Sequence, residues 1–302
     1  MSAAAVGKPP SESSGHLARS ALWLLPLAVV AAWWVRDLSF QWSSLVEYHF
    51  GPIVVMLAAY LVWERWPTRP QVEEPASFAM SLALAAFGFV CVLAAELYRI
   101  GLARTPTSSM LLSLGCASFI AAQLLCLAGR PTLRHFLFPL LFFFIAVPIP
   151  KFFWNPVVLN LQSFVAMLNV ETLRLLGIPA ERHAHIIQLP NAVVGVDEAC
   201  SGVRSLQSSI MAALFVGDLT LRRFGWKVVF VIGGVGLAIA GNFARSLYLS
   251  LTAYHHGAEA LKAVHDAAGW SVLAFTAVGV VLLSLLVSRL DRLGPALPAK
   301  EK

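Results

Sequence analysis

Three residues of reactive type lie near the ends of apolar segments in the C-terminal third of the chain: Cys200, Arg245 and His265. A cysteine thiolate is a nucleophile, and a histidine can transfer protons. A guanidinium can stabilise the oxyanion of a tetrahedral intermediate. Together these groups suit attack of a thiolate on a carbonyl group. Each residue also has a simpler interpretation: a cysteine packed at a helix start, an arginine reaching the membrane interface, and a solvated loop histidine.

The elements that must position these residues are apolar blocks of membrane-spanning length. Of 302 residues, 58% are hydrophobic and 13% are charged, and mean hydropathy is +0.74. Blocks of roughly twenty apolar residues match a hydrocarbon core about 30 Å thick, where the backbone must be helical. The sequence therefore predicts an all-α membrane protein with about eight transmembrane helices. The predicted spans are 19–35, 46–63, 78–97, 109–128, 134–150, 200–217, 227–249 and 269–288.

The segment between the fifth and sixth predicted spans differs from the others. Over 155–178, apolar residues recur every three or four positions among polar ones, which is typical of an amphipathic helix at a membrane interface. Gly177 and Pro179 indicate its end. The following segment, 185–196, is rich in β-branched residues and is too short to span. We therefore expect an outer interfacial amphipathic helix followed by an extended segment.

The positions of the basic residues predict how the chain is oriented. We expect a disordered cytoplasmic tail at 1–18, one membrane domain at 19–290 and a cytoplasmic tail at 291–302. With a cytoplasmic N-terminus, 13 of the 22 basic residues fall in cytoplasmic segments and 7 in outer ones. The positive-inside rule favours this orientation in the cytoplasmic (inner) membrane. It places Cys200, Arg245 and His265 together at the outer, periplasmic face, where a helix N-terminus would lower the pKa of the Cys200 thiol.

Charge and cysteine usage argue against several other classes of protein. The net charge is +6, but the basic residues lie in short loops between apolar blocks. This placement is typical of the loops of a membrane protein rather than of a nucleic-acid-binding patch. We therefore expect no nucleic-acid partner. The other three cysteines, Cys91, Cys116 and Cys126, lie inside apolar blocks and should act as small hydrophobic residues. No CxxC pair occurs, so neither a disulfide framework nor a structural zinc site is expected. We predict no cofactor and no metal.

The motifs around the reactive residues resemble those of the exosortase/archaeosortase family of multi-pass membrane transpeptidases. The similarity covers most of residues 20–290, and Val203 stands where the family commonly has isoleucine or leucine. The matching segments are Glu47-Tyr48-His49-Phe50-Gly51-Pro52, Pro148-Ile149-Pro150, Glu198-Ala199-Cys200-Ser201-Gly202-Val203-Arg204-Ser205-Leu206, Asn242-Phe243-Ala244-Arg245, and His265-Asp266 through Gly269-Trp270.

The resemblance implies an enzyme that acts on C-terminal sorting signals of exported proteins. Such a signal consists of a short motif similar to Pro-Glu-Pro, a transmembrane helix and a basic cluster, and it is cut outside the membrane. Cys200 would be the nucleophile that forms the thioester. Arg245 would stabilise charge or position the carbonyl, and His265 would transfer protons. An amine acceptor would give transpeptidation and water would give proteolysis, and the sequence leaves both open. It also leaves open the oligomeric state and the roles of Glu198, Asp266, Tyr48 and His49.

Other functions are less consistent with these patterns. A serine nucleophile at Ser201 lacks a nucleophile elbow. A multi-pass transporter or membrane assembly factor would need ionisable residues deep in several spans. Small residues over 233–241 could let a substrate helix approach the seventh span, although ordinary internal packing is the favoured interpretation. A metalloprotease has five candidate ligands but no HExxH motif; they are His183, His185, His255, His256 and His265.

Overall fold

A computed structural model describes residues 13–70, 78–195 and 203–293, and most of them are helical. Two 3₁₀-helices, Val46–Tyr48 and Phe143–Ala146, accompany the α-helices. The α-helices are α1 (Ser13–Ser44), α2 (Gly51–Arg65), α3 (Phe78–Leu102), α4 (Pro106–Phe142), α5 (Lys151–Leu175), α6 (Val203–Thr220) and α7 (Phe224–Leu293). The strands are β1 (Glu181–His183), β2 (Ile186–Gln188) and β3 (Val193–Gly195).

Several of these helices are long and apolar enough to cross a membrane. Within the described ranges there are five such stretches, Val46–Arg65, Phe78–Leu102, Pro106–Ala146, Phe224–Gly257 and Glu259–Leu293. The prediction of an α-helical membrane protein is therefore confirmed, whereas the number of about eight spans is not. The predicted spans 19–35 and 200–217 are helical in α1 and α6 but are not among the five stretches.

Two further predicted spans, 109–128 and 134–150, share the single stretch Pro106–Ala146. Gly129 divides this stretch, because its φ of 79° and ψ of 176° are not helical. Only glycine adopts such angles readily, since it lacks a Cβ. The helix begins with a capping box, in which the Thr105 side chain accepts from the backbone N–H of Ser108 and the Ser108 side chain accepts from that of Thr105.

The chain divides into two compact units, of which the first comprises 1–55 and 59–148. In this unit α3 packs closely on α4, and a Cβ on Gly115 would lie 2.9 Å from the carbonyl oxygen of Gly88. A buried ion pair connects α1 to α3, with Arg99 Nη2 donating to Asp37 Oδ1 at 2.8 Å. The Ser109 hydroxyl on α4 donates to the other oxygen of Asp37 at 3.3 Å. Small residues and a satisfied buried charge therefore hold these helices together.

The second unit comprises 56–58 and 149–302, and it contains α5, the strands, α6 and α7. Helix α5 begins at Lys151, four residues before the predicted start, because Pro150 directly precedes it and Pro156 lies in its first turns. It ends with Gly177 at a φ of 78°, and the Ile178 N–H donates to the Leu173 carbonyl at 2.9 Å. These bonds form a glycine cap, which confirms the predicted end.

The segment after α5 forms a three-stranded antiparallel sheet in the order β1-β2-β3. The sequence predicted one extended segment there and missed the sheet, because strands of three residues are too short for a visible alternation. Ile187, Leu189 and Val194 from this region are buried with Val165 and Leu173 of α5. Strand β3 ends at Gly195, so this packing fixes the chain just before residues 196–202.

Helix α7 is a helical hairpin that reverses at Gly257, whose φ is 82° and ψ is 177°. We call Phe224–Gly257 the first arm and Glu259–Leu293 the second arm. The arms pack antiparallel, since added Cβ atoms on Gly233 and Gly241 would lie 2.6 Å from Leu283 Cδ2 and 3.1 Å from Phe275 Cδ1 respectively. These two glycines therefore serve internal packing, as the favoured interpretation held. Nothing lies within 4 Å of such a Cβ on Gly236.

Candidate functional site

Arg245 on the first arm of α7 contacts His265 on the second arm. The Arg245 Nη2 atom lies 3.3 Å from His265 Nε2 and donates to the His265 backbone carbonyl at 3.4 Å. Gly269 also lies beside the guanidinium, since an added Cβ there would be 3.4 Å from Nη2. The hairpin thus brings together two residues that are twenty positions apart in the sequence.

The neighbours of His265 define which ring nitrogen carries the proton. A guanidinium has only donors, so Nε2 must accept from Arg245 and must be unprotonated in this contact. The other nitrogen, Nδ1, lies 3.1 Å from Asp266 Oδ1 and donates to it. In this tautomer the Nε2 lone pair faces Arg245, and such a lone pair is what a general base needs.

The sequence placed His265 just before the eighth predicted span, 269–288. In the structure the helix starts earlier, and His265 lies within the second arm. The residues after Gly257 are Ala258-Glu259-Ala260-Leu261-Lys262, which are strong helix formers, so the helix resumes directly after the break. The histidine side chain is 37% exposed. His265 is therefore a helix residue and not a loop residue, although its side chain stays partly exposed.

A cavity of about 350 Å³ lies beside the Arg245–His265 pair. The first described turn of α6 forms part of its wall together with both arms of α7. A second cavity of about 450 Å³ shares Arg245 and Val272 with the first and is mainly apolar. The first cavity is lined by Arg204, Ser205, Ser208, Asn242, Arg245, His265, Asp266, Gly269, Trp270, Val272 and Leu273. It combines cationic and hydrogen-bonding side chains with an apolar wall, as ligand-binding sites commonly do.

Cys200 lies outside the described residues, as do Glu198 and Ser201. Val203, the first residue of α6, is the first described residue after it. Arg204 and Ser205, the next two residues of α6, line the cavity beside His265.

The sequence interpretation assigned no chemical role to several residues of this cavity. Asn242, which it included only as part of the arginine motif, precedes Arg245 by three positions, which places both on the same face of the first arm. Arg204 and Ser208 are four positions apart on α6, and both line the cavity. Helical spacing from Arg245 would have found Asn242, whereas the α6 residues required knowledge of how α6 packs.

The candidate metal ligands do not form a cluster. Over 13–70, 78–195 and 203–293, no group of three or more His, Cys, Asp or Glu side chains could hold a metal ion. His183 lies on β1 and pairs only loosely with Glu181, with 3.8 Å between Nε2 and Oε2. Near the end of the first arm, His255 makes edge-to-face ring contacts with Tyr254 and His256, with ring centroids 4.9 Å and 6.3 Å apart respectively. These positions give the metalloprotease alternative no support.

Several apolar helices and a cavity holding an arginine–histidine pair define a multi-pass membrane protein with a polar site between helices. A family model described as transmembrane exosortase matches residues 42–282 of the chain. This match covers α2 to α6 and nearly all of α7, including Arg245 and His265. The chain belongs to the transmembrane exosortase family. A search of curated proteins and a search of solved structures each returned no match.

Proposed function

We propose that the protein is a membrane-embedded cysteine peptidase or transpeptidase that cleaves C-terminal sorting signals of exported proteins. Membership of the transmembrane exosortase family supports a reaction on sorting signals within a membrane. The observation that carries the catalytic assignment is the contact between Arg245 and His265 at 3.3 Å. That pair lines a cavity whose wall continues into the first turn of α6, where Arg204 and Ser205 belong to the cysteine motif.

The proposed reaction begins with Cys200. Its thiol replaces Arg245 as the donor to His265 Nε2 and passes a proton to that nitrogen, and the thiolate attacks the scissile carbonyl carbon. A carbon–sulfur bond forms, and the carbonyl π electrons move onto oxygen. When the intermediate collapses, the carbon–nitrogen bond breaks and the imidazolium returns its proton to the leaving amine. The product is a thioester between the substrate and Cys200, which an amine or water then resolves.

In this proposal Arg245 and Asp266 each contact one ring nitrogen of His265, Arg245 at Nε2 and Asp266 at Nδ1. Asp266 accepts from Nδ1 and so holds the ring in the tautomer with an acceptor at Nε2. Arg245 supplies a fixed positive charge beside the cavity, which favours a thiolate over a thiol. It also contacts the His265 backbone carbonyl, which positions the histidine within the second arm.

The membrane forms part of the proposed specificity. A sorting signal includes a transmembrane helix, so the substrate would reach the enzyme by lateral movement in the bilayer. The mainly apolar cavity beside Arg245 contains Tyr248, Val264 and Phe275, which suit the apolar residues just after a scissile bond. With both termini cytoplasmic, as the charge distribution favours, cleavage would occur at the outer face of the inner membrane.

A reporter protein that ends in Pro-Glu-Pro, a transmembrane helix and a basic cluster tests this function. We expect cells with the wild-type enzyme to shorten the reporter and cells with Cys200→Ala to leave it uncut, as gel mobility and mass spectrometry would show. Cys126→Ala is the matched control, because Cys126 lies on α4 and is exposed in an apolar cleft of the first unit. Normal cutting by Cys200→Ala would refute the assignment.

A further inference from the structure

Asn242 is a buried amide whose hydrogen-bonding capacity is not used in the structure. The residue is 2% exposed, and its Nδ2 atom has no hydrogen-bond partner among the described residues. Buried polar groups are normally paired, because leaving a donor without an acceptor loses the hydrogen bonds that water supplied. An unpaired amide in this position therefore leaves a donor available to an acceptor that enters from the cavity.

The position of this amide indicates where that acceptor would bind. Asn242 lines the cavity of about 350 Å³ together with Arg245 and His265. Three buried hydroxyls on α6 and α7, those of Ser209, Ser250 and Thr276, also have no hydrogen-bond partner among the described residues. None of these three lines that cavity. The unpaired donor of Asn242 thus coincides with the space that the substrate would occupy.

The chemistry of an amide suits an oxyanion better than it suits a proton-transfer role. A carboxamide does not titrate in the physiological range, and its NH₂ group can only donate. The guanidinium of Arg245 already contacts both the ring and the backbone carbonyl of His265. A neutral, immobile donor beside that pair meets the requirement for stabilising charge that develops during the reaction.

We propose that Asn242 is a further catalytic residue whose side-chain amide donates a hydrogen bond to the scissile carbonyl oxygen. The inference rests on the proposed function. As the Cys200 sulfur bonds to the carbonyl carbon, the π electrons of the C=O bond move to oxygen, and the Nδ2–H bond to that oxygen shortens and strengthens. When the lone pair returns and expels the amine, the amide keeps its proton. Asn242 therefore stabilises the intermediate without transferring an atom.

The test measures initial rates of reporter cleavage in proteoliposomes over a range of reporter densities. The reporter ends in Pro-Glu-Pro, a transmembrane helix and a basic cluster. We expect Asn242→Ala to lower kcat by about 10²–10³-fold with little change in KM, because the lost bond is made mainly in the transition state. Asn242→Asp should be at least as slow, since a carboxylate cannot donate and repels the oxyanion.

Ser250→Ala is the matched control, because it removes an equally buried and unpartnered polar atom from the same arm. It should keep kcat within about twofold. Alkylation of Cys200 by iodoacetamide gives a second readout, since this displacement forms no oxyanion. Asn242→Ala should be alkylated at the wild-type rate, which shows that the fold and the thiolate are intact.

The outcomes separate this inference from the function on which it rests. If the wild-type enzyme leaves the reporter uncut, the proposed function fails. If the wild-type enzyme cuts it and Asn242→Ala keeps kcat within about twofold, the oxyanion role is overturned while the function stands. Equal losses in cleavage and in alkylation by Asn242→Ala would also overturn the role, because they would indicate a structural effect.

Discussion

The contact between Arg245 and His265 links the proposed chemistry to individual atoms. Arg245 can only donate, so its approach to Nε2 defines the tautomer of His265, and the Nδ1–H is directed to Asp266. The Asp266 carboxylate is 95% exposed, however, so water competes for the same hydrogen bond. The contact with Arg245 is partly buried. Arg245 should therefore affect the orientation of His265, and with it the cleavage rate, more strongly than Asp266 does.

Substitutions at His265 and Asp266 test this difference. We expect His265→Gln to lower the initial rate of reporter cleavage by at least about 10²-fold, because it removes the proton-transfer group. Asp266→Asn should lower the rate by less than about tenfold, because an exposed carboxylate orients its partner only weakly. Both variants should accumulate in the membrane at the wild-type level. An Asp266→Asn enzyme as slow as His265→Gln would show that the carboxylate is essential.

At this scale the sequence predicted which residues share the site but not how they touch. Chain order and charge placed Arg245 and His265 at the same face, and the structure brings them within 3.3 Å. Cys200 lies outside the described residues, so its part in the site stays a prediction. The unpaired amide of Asn242 had no sequence signal of its own, because lack of a partner depends on packing across two helices.

The helical hairpin of α7 is the element that builds the site. Its arms pair so that Gly233 faces Leu283, Gly241 faces Phe275, and Arg245 lies against Gly269. The reversal depends on Gly257, whose φ of 82° and ψ of 177° belong to a region that other residues scarcely enter. The sequence predicted both spans but underestimated their length, because polar residues near the turn hid the helical ends.

Alanine substitutions at two glycines of the first arm test this role. We expect Gly257→Ala to destabilise the protein by about 1–3 kcal/mol, because a Cβ is strained at these angles. It should also slow reporter cleavage by displacing His265 relative to Arg245. Gly236→Ala is the control, since a Cβ there meets nothing within 4 Å and alanine favours a helix. It should leave stability unchanged or slightly higher.

Thermal unfolding in detergent, followed by circular dichroism, provides the measurement for both variants. A midpoint for Gly257→Ala equal to that of the wild type and of Gly236→Ala would mean that the turn tolerates a side chain. The hairpin would then owe its reversal to packing between the arms rather than to the glycine.

Over the whole molecule, composition was sufficient to predict the class of protein but not the number of spans. Five stretches within the described ranges satisfy length and hydropathy, and one of them holds two predicted spans around the break at Gly129. Helix α6 carries Arg204, Gln207 and Asp218, so it is helical but less apolar than the five. Orientation and the outer position of α5 stay predictions, since charge bias and amphipathicity are their basis.

The three cysteines outside the motif show that the sequence predicted their location in the chain but not their burial. All three cysteines outside the motif lie in apolar segments, as expected, but Cys91 and Cys116 are buried whereas Cys126 is exposed. The apolar neighbours in the sequence predicted that each cysteine lies in an apolar helix, but not whether it lies on the buried or the exposed face of that helix. Cys126 faces a cleft of about 620 Å³ in the first unit. This exposure makes it a suitable control for reactions attributed to Cys200.

The central claim is that Cys200 carries the substrate as a thioester, and capture of that thioester tests it most directly. Hydroxylamine attacks thioesters, so its addition to proteoliposomes during cleavage should release the reporter with a C-terminal hydroxamate at the cut site. Mass spectrometry would identify this product. The hydroxamate should form with the wild-type enzyme and with Cys126→Ala, and it should not form with Cys200→Ala. A hydroxamate-bearing reporter from Cys200→Ala would show that Cys200 does not carry the substrate.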